Sequence, residues 1–184
     1  MTLTNVLKAT ERSLKLVAIR AGVRIGALVA PSRTAALIAH RFFATEKPPL
    51  QRTHFTLSEP ARARLQAPDG EVIAYHWGDF KREPTVVLAH GWNGWAQQME
   101  RFVAPLQERG LAVIAFDHVA HGASAGNRSS LPVMIRTLEH VFSEVPNLVG
   151  VIAHSLGAAA TASVLASSRR ELQGAVLIAP PSDP

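Results

Sequence analysis

Four short runs of almost wholly apolar residues recur through the second half of the chain: Thr85–Ala89, Leu111–Phe116, Leu148–Ala153 and Ala175–Ala179. Runs of this length, rich in Val, Ile and Leu, predict strands buried on both faces, as in a parallel sheet covered by helices. Their starts lie 26, 37 and 27 residues apart, close to the roughly 30 of a strand-helix-strand unit. Between them Met99, Phe102, Val103 and Leu106 share one helical face, and Gly110 is placed to end that helix, with Pro105 kinking it or starting its regular part. Met134, Leu138, Val141 and Val145 share another face, stopped by Pro146, and a third helix runs from Leu156 to about Ser168. Ahead of these, Thr53–Leu57 and Val72–His76 read as strands, and the turn Pro68-Asp69-Gly70 makes them an antiparallel pair. The pattern predicts an α/β domain whose mostly parallel sheet carries helices on both faces.

The first fifty residues follow a different pattern. Leu3, Leu7, Leu14, Val17 and Ala21 return at helical spacing, with Lys8, Arg12 and Lys15 on a neighbouring stripe, so a basic amphipathic helix is expected. Its apolar stripe has two candidate partners, the rest of the protein or another chain on one side and an anionic membrane surface on the other. Arg20, Arg24, Arg33 and Arg41 interrupt every apolar run well before a membrane span, and Ile25–Ala30 is too short and too far from Met1 for a signal peptide. The cytoplasm is therefore the expected compartment, and peripheral contact to a membrane follows only on the second reading of the stripe. Glu46-Lys47-Pro48-Pro49 reads as a linker, dividing the chain into a basic helical segment, 1–52, and a main domain, 53–184.

Composition narrows the possibilities. Of the 184 residues, 47% are hydrophobic and 18% charged, too apolar for a disordered tail. The net charge of +5 suggests a nucleic-acid binder until its location is considered: residues 1–52 hold nine basic and two acidic side chains, and the remainder is slightly acidic. A body without interleaved basic and aromatic residues excludes groove reading, so no nucleic-acid partner is expected. The absence of cysteine removes disulfides, thiolate metal sites and cysteine nucleophiles.

The chemistry concentrates where a buried strand turns directly into a helix, at Gly150-Val151-Ile152-Ala153-His154-Ser155-Leu156-Gly157-Ala158. A serine on so sharp a turn is held out above the sheet in strained backbone, which demands small residues two positions before and two after it; Ala153 and Gly157 supply them. The helix beginning at Leu156 aims free amides at an oxyanion beside Ser155. The plainer alternative is that Ser155 caps that helix. His154 neighbours the serine, but side chains diverge on such a turn, and a lining or packing role suits it better. At the end of the first parallel strand, Ala89-His90-Gly91-Trp92-Asn93-Gly94-Trp95 gives a glycine-rich loop on the same sheet edge, from which the Trp92 amide is placed to join that of Leu156. Phe116-Asp117-His118-Val119-Ala120-His121-Gly122-Ala123-Ser124 brings two imidazoles and a carboxylate together, and a loop-stabilising hydrogen-bond network suits it better than a metal.

These three segments, in this order after two opening strands, resemble the α/β-hydrolase family of serine hydrolases, particularly its bacterial esterase-like and serine-aminopeptidase-like members. The resemblance spans roughly Thr53 to Ala179. It implies Ser155 as nucleophile, Trp92 and Leu156 as oxyanion-hole amides, and His90, Gly91, Ala153, His154 and Gly157 as the supporting motif. The implied substrate is a small acyl compound, an ester or related bond cleaved through an acyl-serine, with no cofactor and no metal. Ala153 stands where the first glycine of Gly-x-Ser-x-Gly is usual, and Val119-Ala120 where Pro-Gly is common. The family order is nucleophile, acid, histidine, and no histidine follows Ser155. On this reading the chain is the N-terminal part of the fold, incomplete at its C-terminus and nearly inert alone, with Asp183 at the start of an absent lid. A non-catalytic binding protein that keeps the scaffold is the rival, and complementation by a second chain is a third possibility.

Overall fold

The computed structural model describes residues 3–49, 54–168 and 170–181. They fall into two compact units, Met1–Phe43 and Ala44–Pro184. The first unit holds two helices, α1 (Leu3–Val29) and α2 (Pro31–Phe42). Sequence reading found the first and missed the second. Pro31 separates them, because it cannot continue α1 yet suits the first position of a new helix, where its missing N–H is not needed. Where the two helices meet, a Cβ on Gly26 would lie 2.6 Å from the Thr34 hydroxyl, so a larger residue there would push aside the Thr34 side chain and its bond to the Ala30 carbonyl.

The second unit is built on six strands, β1 (Ala61–Ala67), β2 (Gly70–Trp77), β3 (Thr85–Ala89), β4 (Ala112–Phe116), β5 (Leu148–His154) and β6 (Gly174–Ile178). They are ordered β1-β2-β4-β3-β5-β6. β1 and β2 form an antiparallel hairpin around Pro68-Asp69, β2 runs antiparallel to β4, and β4, β3, β5 and β6 are mutually parallel. The four apolar runs are the four parallel strands. β3 and β4 are buried along their whole length, as continuous apolar runs require, whereas β6 is largely exposed with Val176 and Leu177 open to solvent.

One expected strand is absent. Residues 54–57 are irregular, Thr53 lies outside the described residues, and the hairpin instead begins at Ala61, where Ala-Arg-Ala-Arg-Leu alternates apolar and charged positions as an edge strand does. The irregular stretch is held by side chains. Phe55 packs on the rings of Tyr75 and Trp77, and the buried Glu100 carboxylate accepts the Thr56 and Leu57 amides at 2.6 and 2.7 Å. The expected linker also differs, since Ala44 bridges to Arg128, and Thr45 to Lys47 bond to loops of the second unit. For that reason the break falls after Phe43, ahead of the 52/53 boundary read from sequence.

Helices cover both faces. α4 (Leu131–Glu144) and α5 (Leu156–Ser167) pack Met134, Leu138, Val141, Ala158 and Val164 onto Val72, Val87, Phe116 and Val151. On the other face a 3₁₀ helix, Ala96–Phe102, and the short α3, Val103–Gln107, set Met99 and Val103 against Ile73, Leu88 and Val113. The single helix expected here is thus divided, with Pro105 in the first turn of α3, where its lack of an amide hydrogen costs nothing. Gly110 closes it with φ +73°.

Candidate functional site

All four parallel strands end at one edge of the sheet, and each is followed by a non-glycine residue with positive φ: Asn93 after β3, Ala120 after β4, Ser155 after β5 and Ala179 after β6. Such conformations cost on the order of 1–3 kcal/mol each and persist only where surrounding structure enforces them. Ser155 sits directly between β5 and α5, with φ 52° and ψ −125°. Its side chain does not cap α5, which removes the plain helix-capping explanation for a serine here. Its amide donates to the Ile178 carbonyl of β6 at 2.9 Å, leaving the half-buried side chain above the strand ends.

Small residues make the turn possible. Ala153 is fully buried in the α4/α5 core, and a Cβ on Gly157 would collide with the His90 carbonyl. Gly91 also passes close beneath the serine: a Cβ there would lie 2.8 Å from the Ser155 Cβ and 3.1 Å from the His154 carbonyl. The β3 loop and the Ser155 turn are therefore packed backbone to backbone. Gly91 to Gly94 form a tight turn closed by the Gly94 amide on the Gly91 carbonyl, with Trp92 and Asn93 at its centre. The Trp92 and Leu156 amides, both at half-buried positions of this edge, donate to no backbone carbonyl among the described residues. His154 is exposed.

His90 holds the first loop in place. Its backbone amide hydrogen aside, the ring itself spans two loops: Nε2 accepts the His118 amide at 3.0 Å, which makes Nδ1 the protonated nitrogen and a donor to the Gly91 carbonyl at 2.7 Å. Burial pushes its pKa down to about 4, so this neutral tautomer persists at neutral pH. His118 packs edge-on against it and His121 at a tilt, with ring centroids 4.9 and 5.3 Å away, and Trp92 sits 5.3 Å from His121. Burial also lowers His118 well below its ordinary value and His121 to about 4.

Asp117 organises the neighbouring loop. Its carboxylate accepts the amides of Ala96 and Ala123 at 2.7 and 2.8 Å and the Tyr75 hydroxyl at 3.4 Å, while a Cβ on Gly122 would strike that carboxylate. Burial raises the Asp117 pKa against the pull of these bonds, and burial with the Asp117 charge pushes Tyr75 up to about 12. Ser124 completes the network, its hydroxyl donating to the Asp117 carbonyl at 2.6 Å and accepting the Ile73 amide. This is the hydrogen-bond network expected of the segment. A strap crosses the same loop: the Thr45 hydroxyl donates to the Ala120 carbonyl, the Glu46 amide to the Asn93 side chain and the Lys47 ammonium to the Ser124 carbonyl.

A strained serine at a strand-to-helix turn, packed on a glycine loop from the first parallel strand, narrows the possible families sharply. The family model described as serine aminopeptidase, S33, matches residues 81–184, more than half of the chain. The chain belongs to that family of α/β-hydrolases. No curated protein matches it at a significant level. Among solved structures this S33-family chain resembles the thioesterase domain from the curacin biosynthetic pathway, at 21% identity and TM-score 0.61 over 67% of this chain and 47% of that one. It resembles an esterase of Pyrococcus furiosus at 25% identity and TM-score 0.58, over 75% of this chain and 58% of that one. An α/β serine hydrolase without a lid, from Xanthomonas campestris, matches at 22% identity and TM-score 0.53, over 70% and 65%. The chain thus spans about half the length of the first two.

The structure brings Ser155, Leu156, Gly157, His90, Gly91 and Trp92 to one edge of the sheet. Sequence reading missed the inner brace, Tyr75, Glu100 and the Thr45–Lys47 strap, because these partners lie 42 to 77 residues from the atoms they bind, and no spacing rule connects them.

Proposed function

We propose that the protein is a serine hydrolase that cleaves an ester or related acyl bond through an acyl-Ser155 intermediate. The observation that carries this reading is the Ser155 backbone, held at φ 52° and ψ −125° with a hydroxyl that does not serve α5. Strain of that kind, maintained at a helix N-terminus, suits a nucleophile more than a structural serine. In the proposed reaction Ser155 Oγ attacks the acyl carbon, and the Trp92 and Leu156 amides hold the oxyanion of the tetrahedral intermediate. Collapse expels the alcohol or related leaving group, and water releases the acid from the acyl-enzyme. Fixed donors of this type contribute on the order of 10²–10³ in rate each.

The Ser155 proton needs an acceptor. None of the side-chain hydrogen bonds made by the described histidines reaches it, and His90 and His121 are turned to the Gly91 and Val119 carbonyls. The reading therefore assigns the base to a group outside the described residues. No bound metal or organic cofactor enters the proposed steps. The esterase and thioesterase relatives support an acyl bond as the target.

The test is a p-nitrophenyl ester burst on the protein as its own cells make it. The expected result is one equivalent of nitrophenolate released rapidly and an acyl mass on the peptide containing Ser155, both lost in Ser155→Ala. Slow release without a Ser155 adduct would favour the non-catalytic scaffold.

A further inference from the structure

The helical hairpin of the first unit leaves apolar side chains exposed on two sides of α1. On one side of α1, Ile19 and Val23 meet Leu37, Ile38 and Phe42 of α2 around a shared groove, with Arg41 at its rim. On the opposite side Leu14, Val17, Ala21, Ile25 and Leu28 fall on one stripe at spacings of three, four, four and three, about 21 Å long at 1.5 Å per residue. The large side chains of that stripe are 61–85% exposed: Leu14 66%, Val17 63%, Ile25 61% and Leu28 85%. Helix geometry sets Arg20 and Arg24 along one shoulder of the stripe and Lys15 along the other.

Charge identifies the occupant. Residues 1–43 carry seven basic side chains (Lys8, Arg12, Lys15, Arg20, Arg24, Arg33 and Arg41) against Glu11 alone, while residues 44–184 carry twelve against thirteen. Two copies meeting through this stripe would bring like charges together. A nucleic acid would satisfy the cations and leave the leucines in water. An anionic lipid surface satisfies both, since apolar side chains enter the acyl boundary while long basic arms reach headgroup phosphates. No helix among the described residues is long and apolar enough to cross a membrane.

We propose that the outer stripe of α1, Leu14–Leu28 with its Arg20, Arg24 and Lys15 shoulders, docks the protein parallel to an anionic bilayer surface. The proposal is independent of the chemistry at Ser155. It rests on an uncovered apolar stripe and on a charge excess confined to the same unit.

The test is sedimentation of the full chain with phosphatidylglycerol/phosphatidylcholine vesicles and with phosphatidylcholine vesicles. Binding is expected on the first and at least tenfold weaker binding on the second. Because each basic residue near an anionic surface contributes about fivefold, the double variant Arg20→Gln/Arg24→Gln should lower partitioning by about 25-fold. Leu14→Ser/Leu28→Ser should lower it by more than tenfold, and Ser155→Ala should leave it unchanged. All these positions lie in α1 of the first unit, so an unchanged helical circular-dichroism signal of the full chain verifies that the variants keep the helix. Equal binding to both vesicle types, no binding to either, or a salt-insensitive dimer that excludes vesicles would each overturn the proposal.

Discussion

Gly91 lies directly beneath Ser155, so close that a methyl group on it would stand 2.8 Å from the Ser155 Cβ. The Ser155 turn and the glycine loop are thus one packed object, and the position of the serine is set by a residue 64 positions away in the chain. Gly91→Ala is expected to push the two apart. Because a displacement of about 1 Å costs a reacting centre on the order of a hundredfold, reactivity of Ser155 toward an acylating probe should fall by about that factor. The loss of stability should be smaller, about 1–3 kcal/mol by urea denaturation.

Gly157→Ala is expected to be far more damaging to the fold itself. Its Cβ would enter the His90 carbonyl, which is backbone and is braced on one side by β3 and on the other by the His90 ring on Gly91. Neither neighbour yields without breaking a strand end. A destabilisation above about 4 kcal/mol is predicted, read as loss of the cooperative urea transition or of soluble protein.

Backbone strain at Ser155 predicts an unusual pair of outcomes. Glycine adopts φ 52° without a Cβ penalty, so Ser155→Gly should raise the melting temperature, corresponding to about 1–2 kcal/mol. Alanine keeps the Cβ and the strain, so Ser155→Ala should melt with the parent protein. If the serine were an ordinary cap, both substitutions would lower stability.

The three buried imidazoles predict loss of stability in acid. His90 and His121, with folded values near 4, and His118, also depressed, are neutral in the fold but titrate near 6.5 in the unfolded chain. Their contribution is complete above about pH 6.5 and is lost as pH falls toward 4, up to about 1.4 kcal/mol per pH unit for each ring. Asp117, whose pKa is raised, acts in the opposite sense, while the Lys47 charge near His121 adds to the acid penalty. Urea titrations from pH 7 to 4 measure the sum. Both ring nitrogens of His118 are buried without a partner, so His118→Phe should flatten the slope and raise stability at neutral pH by about 1 kcal/mol.

Much of this was legible in the sequence because it is encoded locally. Val86 to Leu88 and Val113 to Ala115 are apolar without alternation, which is the signature of strands covered on both faces, and Ser155 announces itself through Ala153 and Gly157 within two residues on each side. What escaped was non-local or turned on one residue's backbone. Phe55 lies in a stretch with strand-like composition, yet the buried Glu100 takes the amides of Thr56 and Leu57 that a ladder would have used. Lys47 sits beside two prolines and looks like linker, yet its ammonium reaches the Ser124 carbonyl 77 residues away. The second helix of the hairpin was hidden by Pro31, which breaks a helix in the interior and begins one at its first turn.

The central claim is that Ser155 is an activated nucleophile. The most direct test treats the protein made from its native gene, in extracts of its own cells, with a fluorophosphonate probe and locates the adduct by peptide mass. Labelling on Ser155, absent from Ser155→Ala and from heat-denatured protein, is the predicted result. Native protein that leaves Ser155 unmodified, while a known serine hydrolase in the same tube reacts fully, would contradict it and leave the strained turn as part of a non-catalytic scaffold.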